Sequence, residues 1–233
     1  MISVIVPVYN QADKIVATLK GLISQTYQDF EVIIVNDGSS DHLDEVLEKF
    51  LSQTNSTNTF LIIHQLNQGA PSARNNGWHK ARGEYLFFCD ADAVLVPEAL
   101  ETMLNELSGH PEASYVYSSF LWGSKLFKLG PYDATKLQQG PYIHTMSLIR
   151  RNDFPTTGWD ESIKKLQDWD LWLTMLEQGH GGYWINKVLF KVSPGGTISS
   201  WLPALAYKLL PFLPTVKKYK RALKIVKAKH NLA

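Results

Sequence analysis

Four short apolar runs recur along the first 90 residues, and each is followed by a polar loop and then by a helical pattern. The runs are Ile2–Val8, 31–36, 60–64 and 85–89. Continuous apolar strands are typical of parallel sheets that are covered on both faces, because neither face of the strand meets water. Their alternation with helices predicts an α/β fold with a mostly parallel, Rossmann-like sheet.

The helical segments between these runs carry recognisable start signals. Asp41 is the expected N-cap of the helix after the second run, since its short carboxylate can accept a backbone N–H. A helix is predicted over 70–82 after the third run, and Pro97 is expected in the first turn of a helix that ends near Leu107.

Length and composition indicate one packed domain rather than a disordered or fibrous chain. The protein has 233 residues, of which 45% are hydrophobic and 19% charged, enough to bury a substantial core. We expect one domain over residues 1–195 and a tail over 196–233. The single cysteine, Cys89, excludes an internal disulfide and a cysteine-built zinc site and favours a reducing, cytoplasmic compartment.

Two carboxylates one residue apart, Asp90 and Asp92, directly follow the fourth apolar run. Ligands of such sheets bind beyond the C-terminal ends of the strands. A pair of oxygen ligands there suits a hard divalent cation, above all together with diphosphate oxygens. An ordinary polar loop that caps the next helix is the alternative interpretation.

Two further loops at the same predicted edge contain candidate binding residues. Asp37 follows the second run, where a carboxylate can accept hydrogen bonds from a ribose or a nucleobase; an ordinary Asp-Gly-Ser turn is the alternative. Arg74 lies among small residues at a predicted helix start, where a guanidinium and backbone N–H groups can face an anion. A surface arginine is the simpler interpretation of that segment.

A third acidic pair, Asp168 and Asp170, begins a predicted helix with an aromatic face. A carboxylate among aromatic side chains is a plausible general base, and we expect N-capping to account for one of the two. The seven histidines show no spacing typical of a metal site.

The order of these motifs resembles the family 2 glycosyltransferases, which have the GT-A fold. The motifs are SVIVPVYN, VNDGSSD, NQGAPSARNNG, GEYLFFCDAD, and GWDES followed by QDWDLW, within residues 1–195. The resemblance implies an inverting transfer of a sugar from a nucleotide-diphosphate donor to an acceptor hydroxyl, as in cell-surface glycan or polysaccharide synthesis.

Matching the motifs one by one assigns roles to individual residues. The residues implied in binding the donor are Pro7, Tyr9, Asp37, Arg74 and Asp90. Asp90 and Asp92 match the metal motif for Mg²⁺ or Mn²⁺, with Asp92 as the more direct ligand. Asp168 matches the catalytic base.

Two positions depart from the family pattern. Gln167 stands where the family usually has Glu before the base, which leaves the class of acceptor open. The downstream histidine that often completes the metal site is absent from 190–196, so weaker metal binding is expected.

Two other functions stay open at this point. The segment 90–94 after a hydrophobic strand also fits the nucleophile motif of haloacid-dehalogenase-like phosphohydrolases, with Asp90 as the covalent nucleophile. The departures from the family pattern also fit a protein that binds sugar nucleotides or a membrane without turnover.

The charge is divided unevenly along the chain. Residues 1–177 carry a net charge of −9 and residues 178–233 a net charge of +10, so the body is expected to repel nucleic acid. No run of 18 apolar residues is present, which argues against a membrane-spanning helix. The apolar stretch 201–214 contains three prolines.

A basic helix is predicted from Thr215 onward. Val216, Tyr219, Leu223 and Val226 share one face of it, and lysines and arginine dominate the rest. This pattern suggests a peripheral anchor on the anionic inner face of a membrane, and with it a glycan or lipid-linked acceptor. Packing of the apolar face on the protein body or on a second subunit is the alternative.

Overall fold

The computed structural model describes residues 1–54, 56–194 and 212–232. The strands are β1 (Ile2–Val8), β2 (Phe30–Asp37), β3 (Thr59–Gln65), β4 (Tyr85–Phe88), β5 (Ala93–Leu95), β6 (Tyr115–Trp122), β7 (Lys125–Phe127), β8 (Leu148–Arg150) and β9 (Gly182–Val192). The helices are α1 (Ala12–Ile23), α2 (Leu43–Ser52), α3 (Ala70–Lys80), α4 (Ala99–Gly109), α5 (Ala134–Gln139), α6 (Gln167–Glu177) and α7 (Pro214–Lys229), with a short 3-10 turn at Arg151–Asp153.

The strands form one sheet in the order β3-β2-β1-β4-β8-β6-β9-β5, with β7 paired to β6. Strands β1 to β4 pair in parallel, as the sequence predicts. The chain runs from β1 through β2 to β3 on one side and then returns to place β4 on the other side of β1. The order therefore reverses between β1 and β4, and the crevice at such a reversal is where α/β sheets bind ligands.

The second half of the sheet adds antiparallel pairs that the sequence analysis did not predict. Strand β8 runs antiparallel to both β4 and β6, and β5 runs antiparallel to β9. Only the β6–β9 pair is parallel among the described strands of this half. The predicted α/β GT-A class is confirmed, with these antiparallel pairs as an addition to it.

Apolar residues cover both faces of the sheet, which explains the unbroken apolar runs. Along β1, Val4 and Val6 belong to the core under α1, α2 and α4, whereas Ile5 points into a second core beneath α3 and α6. Helix α3 packs so closely on β1 that a Cβ at Gly77 would overlap the side chain of Ile5. Glycine, which has no Cβ, permits this approach. This close contact fixes the height of Arg74 above the sheet.

Two predicted helix boundaries need correction. Helix α2 begins at Leu43, and Asp41 instead accepts a hydrogen bond from the backbone N–H of Ala12 at 2.9 Å, which caps α1. Helix α3 ends at Lys80, two residues before the predicted end. The backbone N–H of Arg82 donates to Glu31 Oε1 at 2.7 Å, which draws the chain out of the helix.

Helix α7 turns its predicted apolar face onto the protein. Val216 and Val226 are fully buried, and Tyr219 and Leu223 are half-buried. Val226 and Leu223 join the second core, together with the tryptophans of α6. This packing is the alternative stated above, and it corrects the expectation that the apolar face meets a membrane.

Most of the stretch 201–214 lies outside the described residues. No helix in the described part of the chain combines the length and apolarity that crossing a membrane requires.

Candidate active site

The loop after β1 is tied to the loop after β2. Asn10 has a left-handed backbone with φ of 50°, its side-chain Oδ1 accepts from the backbone N–H of Ser40 at 2.8 Å, and its own N–H donates to Ser39 Oγ at 3.0 Å. These bonds fix the predicted nucleoside-binding residues Pro7 and Tyr9. Tyr9 is 38% exposed at this edge, so one face of its ring is open to a ligand.

Asp37 at the end of β2 shapes the loop that precedes α3. Its Oδ1 accepts from Gln65 Nε2 at 2.8 Å and from the backbone N–H of Gln68 at 2.9 Å, and its Oδ2 accepts from the backbone N–H of Gly69 at 2.9 Å. Both carboxylate oxygens are therefore engaged within the chain. A cavity of about 540 Å³ opens beside this loop, lined by Asn67, Gln68, Gly69, Glu161 and Lys164.

The loop that carries Asp90 and Asp92 is anchored through its backbone. Thr18 Oγ1 donates to the carbonyl of Ala91 at 2.8 Å, and the N–H of Ser193 donates to the carbonyl of Asp92 at 2.9 Å. Asp92 is only 8% exposed. Burial, reinforced by the charge of Asp90, raises the pKa of Asp92 to about 6.

Arg74 connects this loop with helix α6. The side chain is buried; its Nη2 donates to Asp90 Oδ1 at 3.2 Å and its Nη1 to Gln167 Oε1 at 3.0 Å. The guanidinium carbon lies 4.6 Å from the centre of the Trp159 ring, a cation–π contact. Within the described residues, Arg74 Nε has no hydrogen-bond partner.

Asp168 lies half-buried in the first turn of α6. Burial raises the pKa of its carboxyl, and the hydrogen bond from the backbone N–H of Trp169 and the charge of Arg74 only partly oppose this. A raised pKa suits a carboxylate that must accept a proton. The expectation that one acidic residue here caps the helix is wrong, because Leu166 occupies the N-cap position. The second acidic residue, Asp170, instead forms ion pairs with residues at the end of α7.

His144 is a site residue that the sequence analysis missed. Its Nε2 lies 3.8 Å from Asp90 Oδ2, and its ring packs between Phe120 and Phe190. The backbone N–H of Met146 donates to His144 Nδ1 at 3.1 Å. Burial lowers the pKa of His144, so the neutral ring carries its proton on Nε2 and presents it towards Asp90.

The antiparallel pairing of β8 explains why no local signal marks His144. Leu148 lies opposite Phe87 in the β4–β8 pair. Because the two strands run in opposite directions, the residues before Leu148 lie beside the residues that follow Phe87. The approach of His144 to the acidic motif therefore depends on a contact between distant parts of the sequence.

Asp90 and Asp92 are the candidate ligands of a divalent cation. No group of three or more His, Cys, Asp or Glu side chains in the described ranges is arranged to hold a metal by itself. Asp90 and Asp92 nevertheless fit a hard cation, because a nearby positive charge would offset the burial and the Asp90 charge that together raise the pKa of Asp92. Further ligands would then come from a diphosphate.

Residues 3–162 match the family model described as Glycosyl transferase family 2. The chain belongs to this family. Membership accounts for the order of the motifs from SVIVPVYN to GWDES, whereas QDWDLW lies beyond the matched range. It also removes the reason for treating Asp90 as a phosphohydrolase nucleophile.

Several relatives of this family 2 protein are themselves glycosyltransferases by name. An uncharacterised glycosyltransferase of Haemophilus influenzae is 35% identical over 202 residues, which cover 81% of this chain and 67% of the relative. Glycosyltransferase GlyG of Streptococcus pneumoniae is 36% identical over 108 residues, 46% of this chain. The matched segment spans only 35% of GlyG, about a third of that relative's length.

Solved structures share the fold at low sequence identity. The mannosyltransferase PcManGT of Pyrobaculum calidifontis, in complex with GDP-Man and Mn²⁺, has a TM-score of 0.70 at 18% identity and covers 99% of this chain and 69% of its own. Staphylococcus aureus TarS 1-349 in complex with UDP has a TM-score of 0.69 at 20% identity, covering 82% of this chain and 60% of its own. At these identities the likeness establishes the fold.

The raised pKa of Asp92 leads to a stability prediction. The folded state holds the Asp92 proton more tightly than the unfolded chain, in which the pKa of Asp92 is near 3.8. Ionising Asp92 therefore lowers the stability of the fold as pH rises from about 4 to 6. Without metal, Asp92→Asn should therefore stabilise the fold by about 1–3 kcal/mol at neutral pH, and by little at about pH 4. Denaturant unfolding in chelator at both pH values measures this difference.

Asp13→Asn, at an exposed position on α1, is the control and should change stability little at either pH. If Asp92→Asn is no more stable than the unchanged protein at neutral pH, Asp92 does not carry the unfavourable charge described here.

Proposed function

We propose that this protein transfers a sugar from a nucleotide-diphosphate donor to an acceptor hydroxyl, with inversion at the anomeric carbon. The observation that carries the proposal is the bridge from Asp90 through Arg74 to Gln167, which connects the acidic motif with the turn bearing Asp168. An in-line displacement needs a motif that stabilises the leaving group and a base for the acceptor, and this bridge holds both in one site.

On the donor side, the chain offers a fixed positive charge and two cation ligands. Asp92 and Asp90 would hold Mg²⁺ or Mn²⁺, and the ion when bound would neutralise charge on the departing diphosphate. Arg74 adds a permanent charge whose Nε–H is unsatisfied within the described residues. The complexes of TarS with UDP-GlcNAc and of PcManGT with GDP-Man and Mn²⁺ support a nucleotide-sugar donor.

On the acceptor side, Asp168 takes the hydroxyl proton as the new bond forms. The backbone N–H of Trp169 donates to Asp168 Oδ1 at 2.9 Å. This bond orients the carboxylate and leaves Oδ2 as the basic atom. The burial that raises the pKa of Asp168 also makes it a stronger base. A direct displacement on the face opposite the leaving group inverts the configuration of the transferred sugar.

We further propose that the exposed face of α7 binds an anionic membrane surface, where a glycan or lipid-linked acceptor would be found. Lys217, Arg221 and Lys224 are exposed on this helix, and Phe212 and Ile225 are 63% and 49% exposed near them. Because the apolar face of α7 packs on the protein, attraction would be mainly electrostatic.

Asp168→Asn tests the proposed reaction. The amide keeps the shape of the side chain but cannot accept the proton, so the rate of sugar transfer should fall by about 10²–10⁴-fold while donor affinity stays nearly unchanged. Transfer is measured with a panel of nucleotide sugars, and NMR of the product gives the anomeric configuration. Near-normal turnover of the variant, or a product with retained configuration, would reject the mechanism.

Vesicle co-sedimentation tests the membrane proposal. The protein should bind anionic but not neutral vesicles at low ionic strength, and high salt should release it. Replacing Lys217, Arg221 and Lys224 by Gln should weaken binding by about tenfold or more, since each cation near an anionic bilayer contributes up to about 1 kcal/mol. The matched control replaces three exposed lysines of the body, Lys20, Lys49 and Lys80. Equal binding by both triple variants would contradict the proposal.

A further inference from the structure

The C-terminal end of α7 places two basic side chains against helix α6. Lys229 Nζ lies 2.8 Å from Asp160 Oδ2 and 2.8 Å from Asp170 Oδ1. His230 Nε2 lies 2.9 Å from the same Asp170 oxygen, and His230 Nδ1 lies 2.8 Å from Glu177 Oε1. We call these five residues the tail clamp.

The tail clamp is centred on Asp170, which is buried together with His230, whereas its other three residues reach the surface. Asp170 is 3% exposed and His230 is 6% exposed. Burial lowers the pKa of His230, but the carboxylates of Asp170 and Glu177 outweigh it and the pKa is raised overall. The Lys229 pKa is raised by Asp160 and Asp170 in the same way. Among the described residues, both ion-pair partners of Asp170 come from the end of α7.

Both carboxylates that meet Lys229 are neighbours of the candidate active site. Asp170 lies in the first turn of α6, two residues after Asp168. Asp160 directly follows Trp159, the ring beneath the guanidinium of Arg74. Lys229 thus connects the segment under the donor-side arginine with the helix that carries the base.

The fold itself does not require such a charged contact. Val226 is fully buried in the second core, and this apolar contact already attaches α7. A buried ion cluster is often no more stabilising than an apolar replacement of the same size, because the desolvation of the charges offsets their attraction. What the charges add is a defined geometry, since several short bonds converge on one carboxylate.

We propose that Lys229 and His230 are positioning residues, which hold Asp170 so that the first turn of α6 places Asp168 correctly against the donor. This inference rests on the proposed function, in which Asp168 is the base. It assigns the end of the chain a role in the reaction although neither residue touches the reacting atoms.

The test compares three variants of the full chain. Lys229→Met with His230→Gln removes the clamp cations and leaves Asp170 unpaired. The triple variant adds Asp170→Asn, which removes that unpaired charge and the instability that it causes. Lys20→Met, at an exposed position on α1, is the matched control. kcat, the donor KM, and amide hydrogen exchange of α6 are measured for each.

In both clamp variants we expect kcat to fall by about 10- to 100-fold, because small misplacements of a reacting group have effects of this size. The donor KM should change less than about twofold, since donor contacts are kept. Exchange at the first turn of α6 should become faster in both clamp variants. Lys20→Met should match the unchanged protein in all three measurements.

Recovery of kcat in the triple variant would overturn the proposal, because the loss in the double variant would then reflect instability alone. Unchanged exchange in α6 would overturn it as well. If the unchanged protein transfers no sugar from any donor, the proposed function fails, whereas the exchange measurement still reports whether the clamp orders α6.

Discussion

A single buried guanidinium connects the parts of this site. Arg74 contacts Asp90 of the acidic motif, Gln167 at the start of α6, and the ring of Trp159. These partners come from two distant segments of the chain, around residue 90 and over 159–167, and a side chain that is only 5% exposed cannot lose them without a large desolvation cost. The relative placement of the acidic motif and of the turn bearing Asp168 therefore depends on this interaction.

The burial that strengthens the contacts of Arg74 also shifts the pKa of nearby carboxyl groups. Burial raises the pKa of both Asp92 and Asp168, while the positive charge of Arg74 partly opposes the shift at Asp168. The two carboxylates gain from this in different ways. The acidic pair favours a cation, whereas a single carboxylate in a partly buried place becomes a better proton acceptor. Arg74 forms an ion pair with Asp90 at 3.2 Å, and Gln167 adds a neutral acceptor.

The N-terminal half could be predicted from sequence because its signals are local. Each strand of the parallel part is one apolar run, and the site residues Asp37 and Asp90 follow such runs directly, at the edge where ligands bind. The remaining features depend on pairing between distant segments. His144 reaches Asp90 through an antiparallel strand, and Asp170 proves to be a partner of α7. Neither contact has a local pattern, since each is fixed by packing between distant segments.

The central claim is that the crevice binds a nucleotide sugar through a cation held by the Asp90–Asp92 pair. Thermal unfolding with a panel of nucleotide sugars, in Mn²⁺ and in chelator, tests it most directly, because a ligand that binds only the folded state raises the unfolding temperature. We expect at least one nucleotide sugar to stabilise the chain in Mn²⁺, little in chelator, and not in the Asp92→Ala variant. Equal stabilisation in Mn²⁺ and chelator, or none by any nucleotide sugar, would contradict the account.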